Sequence, residues 1–264
     1  MTGSGLVVFL GPSLSALEAR NLVPDATILP PARQGDIYRA TRDYHPRAIA
    51  LIDGRFATVP AVWHREILWA MAERGVRIYG AASMGALRAA ELDTYGMVGV
   101  GKIYESYRIG RYAPFTEPFE DDDEVAVRHG PPETGCIPVS YAMVDVRQTL
   151  AAAEAAVLIG PAIRDILAAA LKRLHFPERS IARLVRAAAA LPEAKGAALA
   201  AWLRAGHAVS QKRRDAEALL RRLAAGAETK SPPAFVFERA QVWERFRAAA
   251  DAADTALPSP AAAE

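Results

Sequence analysis

Cysteine is almost missing. Cys136 is the only one in 264 residues, so no intrachain disulfide can form. A cytoplasmic location is expected. Long apolar runs are missing too: the longest are about ten residues, carry alanine and are too short to cross a bilayer. No positively charged segment precedes "GLVVFL" (5–10), so no signal peptide is expected. Lysine is scarce. Lys102, Lys172, Lys195, Lys212 and Lys230 stand against 27 arginines. The net charge of +2 provides no basic stripe, which argues against a general grip on nucleic acid. An arginine holds its proton in a protein and a lysine can release it, so chemistry that needs a basic amine has few candidates. What is present is ordinary for a soluble globular chain, 52% hydrophobic and 23% charged, and long enough for one large domain or two small ones.

The first half alternates between two periodicities. "LVVFL" (6–10), "ATIL" (26–29), "AIALID" (48–53) and "RIYGAA" (77–82) read as strands. Helical patterns follow at Leu14 to about Asn21, in "DIYRATRDY" with Asp36 as its cap, over 60–75 with Pro at the start and Gly at the end, and in "MGALRAAEL". Strands separated by helices imply a parallel sheet, whose ligands sit at the carboxyl ends of the strands. Residues 96–140 change character, with a glycine-rich then aromatic stretch, an acidic run, a short strand and a turn-rich loop. From about Tyr141 helices are expected over 141–157, 161–174, 178–190, 197–206, 209–224 and 234–250. The expected fold is α/β, with a parallel-sheet core over 1–140, a mainly α-helical subdomain over 141–250 and a disordered tail over 251–264.

One hydroxyl stands at a strand-to-helix turn. In "RIYGAASMGALRAAEL" (77–92) the apolar run stops at Gly80, and Ala81, Ala82, Ser83 and Gly85 carry the chain into a helix. Small residues allow a sharp turn, and amides at a helix start can hold a developing oxyanion, as in hydrolase nucleophile elbows. The spelling is G-x-x-S-x-G rather than G-x-S-x-G, so Ser83 is either a nucleophile or a helix cap, a role worth about 1 kcal/mol. A nucleophilic serine needs a base. The five histidines (His45, His64, His129, His175, His207) stand in no triad context. On a helical wheel of 209–223, Lys212 falls on the apolar arc of Val209, Ala216, Leu219, Leu220 and Leu223. It either snorkels out or is desolvated, and desolvation would make it a base at ordinary pH. Lys102, in the glycine-rich segment, is the second candidate.

"VFLGPSLS", "PPARQGDIYRA", "ALIDGRF", "PAVWHREILWAMAERGVRIYGAASMGALRAAEL", "YGMVGVGKIYESYRIG" and "DDDEVAV", in order from Val8 to about Val127, resemble the TfuA-like family, with "SQKRRDAEALL" as a looser match. The resemblance implies work with a YcaO enzyme, which activates a peptide backbone amide with ATP so that sulfur can be installed as a thioamide. It further implies hydrolysis of the C-terminal thiocarboxylate of a ThiS-like carrier, releasing sulfide, and recruitment of a precursor peptide. The family is described as hydrolase-like with a Ser–Lys pair. Ser83 and Lys212 match those positions. Some relatives carry lysine where this chain has Arg33 and Arg65. The implied chemistry calls for no metal and no cofactor.

Ser13, Arg33, Asp53, His64, Gly85 and Arg88 complete the candidate site as substrate-binding residues. Ser13 lines the site from "GPSLS", a turn without the Gly-Lys-Ser/Thr ending of a phosphate loop. Asp53 reaches it from a strand end, and Arg33 suits a carboxylate. Arg88 and Glu91, three apart on a helix, are expected to pair. Asp121, Asp122, Asp123 and Glu124 form a magnesium site, a docking patch or a solvated run. Three function classes remain: a serine hydrolase delivering sulfur, a non-catalytic adaptor that docks peptide, carrier and YcaO, and a nucleotide-binding α/β protein disfavoured by the broken phosphate loop.

Overall fold

The computed structural model describes residues 5–55, 59–191, 194–226, 234–252 and 257. Apolar runs of three to five residues in the first half form five parallel strands: β1 (Leu6–Phe9), β2 (Thr27–Leu29), β3 (Ala48–Leu51), β4 (Arg77–Ala81) and β5 (Val98–Val100). Their order across the sheet is β2-β1-β3-β4-β5. In register, Val8 pairs with Ile28 and Ala50, and Leu51 pairs with Gly80. The inner strands β1, β3 and β4 are largely buried, because helices cover both faces, while the edge strand β5 is half-buried. The order reverses between β1 and β3. The crevice outside the carboxyl ends at that reversal is where open α/β sheets hold ligands.

α1 (Ala16–Leu22) follows β1, α2 (Asp36–Tyr44) follows β2, α3 (His64–Arg74) follows β3 and α4 (Met84–Leu92) follows β4. α5 (Lys102–Ile109) leads into α6 (Met143–Ala155), α7 (Pro161–Lys172), α8 (Ile181–Ala189) and α9 (Ala194–Arg204), and the chain closes with α10 (Gln211–Ala224) and α11 (Gln241–Ala252). One sheet face packs Val7, Phe9, Ile49, Leu51 and Ile78 against α2, α3, α4 and Trp243 of α11. The other packs Val8, Ala50, Ile52, Tyr79 and Ala81 against Ala19 of α1 and Ala216, Leu219 and Leu220 of α10. A third core joins α5 to α6, α7, α8 and α9. The chain therefore leaves the sheet, builds a helical layer and returns with two helices, one to each face.

Several expectations are corrected. The strand ends are one or two residues shorter than the apolar runs, because Leu10, Ile52, Asp53 and Ala82 leave the ladder to form loops. β5 and α5 occupy the glycine-rich and aromatic segment that carried no predicted element. No strand forms over 119–140 among the described residues; the acidic run makes a 3-10 turn over Asp122–Glu124. Asp36 is not the cap of α2. Gly35 holds that position with φ 92°, and Asp36 accepts from Arg33 N–H at 2.9 Å and pairs with Arg39 at 2.7 Å. The helix expected over 234–250 begins only at Gln241; before it Phe235 meets Tyr95 and Phe237 meets Trp243 edge to face in irregular chain. Lys230 and most of the expected tail fall outside the described residues, but Asp251 accepts from Tyr38 Oη at 2.9 Å.

Candidate functional site at the carboxyl ends of the strands

The turn after β1 and the end of β3 are bound together by one carboxylate. Gly11 N–H and Ser13 N–H donate to Asp53 Oδ2 at 2.9 and 3.0 Å, and Ser13 Oγ donates to Oδ1 at 2.6 Å. Asp53 is fully buried and Ser13 nearly so. These amides stand where a doubly wound protein would hold a phosphate. Here the chain supplies its own anion, a physical reason against the nucleotide-binding alternative.

Lys212 reaches the same carboxylate from the opposite element. Its Nζ lies 3.9 Å from Asp53 Oδ1 and donates to the Val125 carbonyl at 2.9 Å. The residue is 3% exposed, so its ammonium does not snorkel to solvent. Burial lowers its pKa, while the charges of Asp53 and Asp145 pull the other way. The first turn of α10 explains how a lysine comes to be held there. Ser210 caps the helix through Arg213 N–H at 3.2 Å. Asp145, from α6, accepts from Gln211 N–H at 2.7 Å, Lys212 N–H at 3.1 Å and Ser210 Oγ at 3.1 Å. Its own pKa is raised by burial, against the pull of Lys212 and the two amides.

Ser83 lies in the turn after β4, the strand that pairs with β3. The preceding Ala82 has φ 66°, the left-handed region that costs a side chain about 1–2 kcal/mol. This gives the chain its elbow. The close approach that follows requires glycine: a Cβ on Gly85 would fall 1.7 Å from the Leu51 carbonyl oxygen. Ser83 occupies the N-cap position of α4, but its hydroxyl makes no capping bond. The helix-cap reading of that hydroxyl is therefore corrected; its carbonyl accepts instead, from Ala86 N–H at 3.0 Å and Leu87 N–H at 3.3 Å. Gly85 N–H donates to Ile52 O at 3.3 Å. Met84 N–H is left as the first-turn amide without a hydrogen-bond partner among the described residues. Ser83 is 4% exposed, and no hydrogen bond links it to Lys212. Ala81 and Ala82 share a core with Ala216, Leu219 and Leu220 in the middle of α10.

The remaining candidates separate. Arg33 is half-exposed and lies 3.7 Å from Asp36. A parallel bridge joins Ala32 to Gly54, and Arg55 N–H donates to the Ala32 carbonyl at 2.8 Å. Arg88 pairs with Glu91 at 2.6 Å, as their spacing predicts, and donates from Nε to the Val62 carbonyl at 2.9 Å. His64 Nε2 is 2.8 Å from the same Glu91 carboxylate. His64 and Arg88 thus form one cluster between α3 and α4, apart from the Asp53 network. Lys102 is lowered by burial but engaged elsewhere, donating to Gln148 at 2.8 Å and lying 4.2 Å from the Tyr112 ring centroid.

The acidic run is divided: Asp121 and Asp122 are exposed, Asp123 is half-buried and Glu124 is buried. Asp121, Asp123 and Glu124 pair with Lys172, Asp123 with Arg179 at 2.7 Å, and Glu124 with the buried Arg147 at 2.9 Å. These bonds hold the segment whose Val125 carbonyl receives Lys212.

Sequence reasoning missed two neighbours. Asp145 lies opposite Met143, Val146 and Leu150 on α6, and is buried because that helix is covered on more than one side. Cys136 gave no signal; a Cβ on Gly11 would fall 3.0 Å from its own Cβ, so its loop lies against the β1 turn. Burial raises its thiol to about 11, which keeps it protonated. An open cavity of about 890 Å³ lies at the opposite, amino end of the strands and is lined by none of the candidate residues. No described helix is long and apolar enough to cross a membrane.

The model of the family described as TfuA-like protein matches residues 53–180. No curated protein matches the chain.

Proposed function

We propose, from the premise that residues 53–180 make this a TfuA-like protein, that it is a hydrolase-like sulfur-delivery protein acting for a YcaO enzyme. The family is associated with YcaO-related thioamidation. The finer reading is that the chain hydrolyses the C-terminal thiocarboxylate of a ThiS-like carrier and supplies the sulfide for thioamide formation in a precursor peptide. One observation supports it above the others. A buried lysine faces Asp53 at the carboxyl end of β3, and the serine hydroxyl at the turn after the neighbouring strand does not cap its helix.

In this reading Ser83 Oγ attacks the thiocarboxylate carbon while Lys212 takes the hydroxyl proton. The developing oxyanion is met by Met84 N–H. The carbon–sulfur bond breaks, and sulfur leaves as hydrosulfide carrying the proton that Lys212 returns. The carrier is left as an ester on Ser83. Water then cleaves the ester, restoring the serine hydroxyl and leaving the carrier as a carboxylate. Overall, thiocarboxylate and water give carboxylate and hydrogen sulfide, so the balance needs no redox partner. Val125 O and Asp53 fix the amine, and the half-exposed Arg33 is the cation proposed to meet the anionic tail.

The test is sulfide release from a thiocarboxylated ThiS-like protein by wild type, Ser83→Ala and Lys212→Ala. The proposal expects release by wild type and its loss in both folded variants. Undiminished release by Ser83→Ala would overturn it. Absence of release by wild type, with tight binding to a YcaO partner, would make the chain an adaptor.

A further inference from the structure

We infer that Asp53 is a positioning residue with two duties: its carboxylate is a built-in anion that closes the β1 turn, and the same carboxylate holds the charge of Lys212. The first duty is read from three donors. Gly11 N–H, Ser13 N–H and Ser13 Oγ all end on its two oxygens within 3.0 Å. The second is read from the 3.9 Å approach of Lys212 Nζ to Oδ1, the oxygen that also accepts from Ser13. Asp53, Ser13 and Lys212 are buried, so water screens their charges little. A carboxylate buried in a loop has no reason to be retained for packing, because unpaired burial of a charge is costly and an apolar residue would fill the space. What it supplies is negative charge at a point shared by β1, β3 and α10.

The charges around Lys212 come from few elements. Asp53 faces it from the end of β3 and Asp145 from α6. Asp215, on the same helix, is turned towards α5, where it accepts from Lys102 N–H and Ile103 N–H. Glu18 of α1 pairs at the surface with Arg213. Removing the charge of Asp53 therefore leaves Asp145 as the facing carboxylate. The amine then loses its proton at lower pH, with the turn still closed if the replacement keeps a hydrogen-bond acceptor.

The inference concerns the site assigned above but its physical part is independent of the hydrolase reading. The chain's five lysines make that part measurable by nitrogen-15 NMR of lysine-labelled protein, with the Lys212 signal assigned from Lys212→Arg. In Asp53→Asn, Lys212 is expected to titrate about one to three pH units lower than in wild type, the range for loss of an opposite charge at this distance. In Asp53→Ala, sodium formate, an anion the size of the deleted carboxylate, is expected to move the titration back towards the wild-type value, with sodium chloride at equal ionic strength as control. An unchanged Lys212 titration in a folded Asp53→Asn protein overturns the inference. So does formate that acts no better than chloride. If Asp53→Asn unfolds, the formate arm decides alone. Should wild type release no sulfide, these NMR results stand, so failure of the activity and failure of the inference are distinguishable.

Discussion

Replacing Asp145 by alanine tests how Lys212 is presented. The carboxylate accepts two backbone amides of α10, Gln211 N–H and Lys212 N–H, and the Ser210 hydroxyl. Leaving a buried donor unpaired costs about 1–3 kcal/mol, so two stranded amides cost about 4 kcal/mol. Asp145 is itself destabilised by burial, which its removal recovers in part. The net expectation is a loss of about 2–3 kcal/mol. For a chain of this size that lowers Tm by about 5–10 °C. Asp145→Asn keeps one acceptor and the shape, and is expected to lose less than half as much. Thermal and urea unfolding followed by circular dichroism gives both numbers. A loss under about 0.5 kcal/mol in Asp145→Ala, the range of an unremarkable surface change, would refute the account of α10 capping.

Other perturbations separate scaffold from site. Gly85→Ala drives a methyl group into the Leu51 carbonyl and is expected to cost about 3 kcal/mol or to prevent folding; a wild-type melting curve would show that the α4 elbow is looser than described. Trp243→Ala removes the fully buried ring that contacts Tyr38, Trp63 and Trp69, with an expected loss of about 3–5 kcal/mol by the same unfolding measurement. Burial raises Asp215 from its usual value to about 6, so the native protein binds that proton more tightly than the unfolded chain. Its contribution is therefore present at low pH and lost as pH climbs from about 4 to about 6. Against Asp215→Asn, wild type should lose about 3 kcal/mol more over that interval; parallel pH–stability curves would contradict the assignment.

Much of the scaffold was legible because its strands are apolar runs between helices of ordinary period. "AIALID" and "RIYGAA" differ from β3 and β4 only at their last residues, which are the ones that turn into the site. β5 was hidden by glycine: Gly99 has no side chain because the Tyr104 ring takes its place, 2.1 Å from where a Cβ would be. Residues 234–240 read as helix from composition, yet stay irregular while Phe235 and Phe237 pack on the rings of Tyr95 and Trp243. In the site, Lys212 was visible as a charge on an apolar arc. Asp145 carried no such signal, because it lies away from the arc of Met143, Val146 and Leu150 on α6. The pairing of Asp53 with the β1 turn joins residues about forty positions apart, a contact that no local periodicity encodes.

The central claim is that Ser83 carries the carrier's acyl group while sulfide departs. The most direct measurement is acid quenching of the reaction with thiocarboxylated ThiS-like protein, followed by peptide mapping by mass spectrometry, in wild type and in Ser83→Cys, whose thioester would report the same attack. The account predicts the carrier's C-terminal residue linked through its carbonyl to the peptide containing position 83, and no such linkage in Lys212→Ala. Sulfide release with no adduct at position 83 in either protein, together with undiminished release by Ser83→Ala, would contradict it.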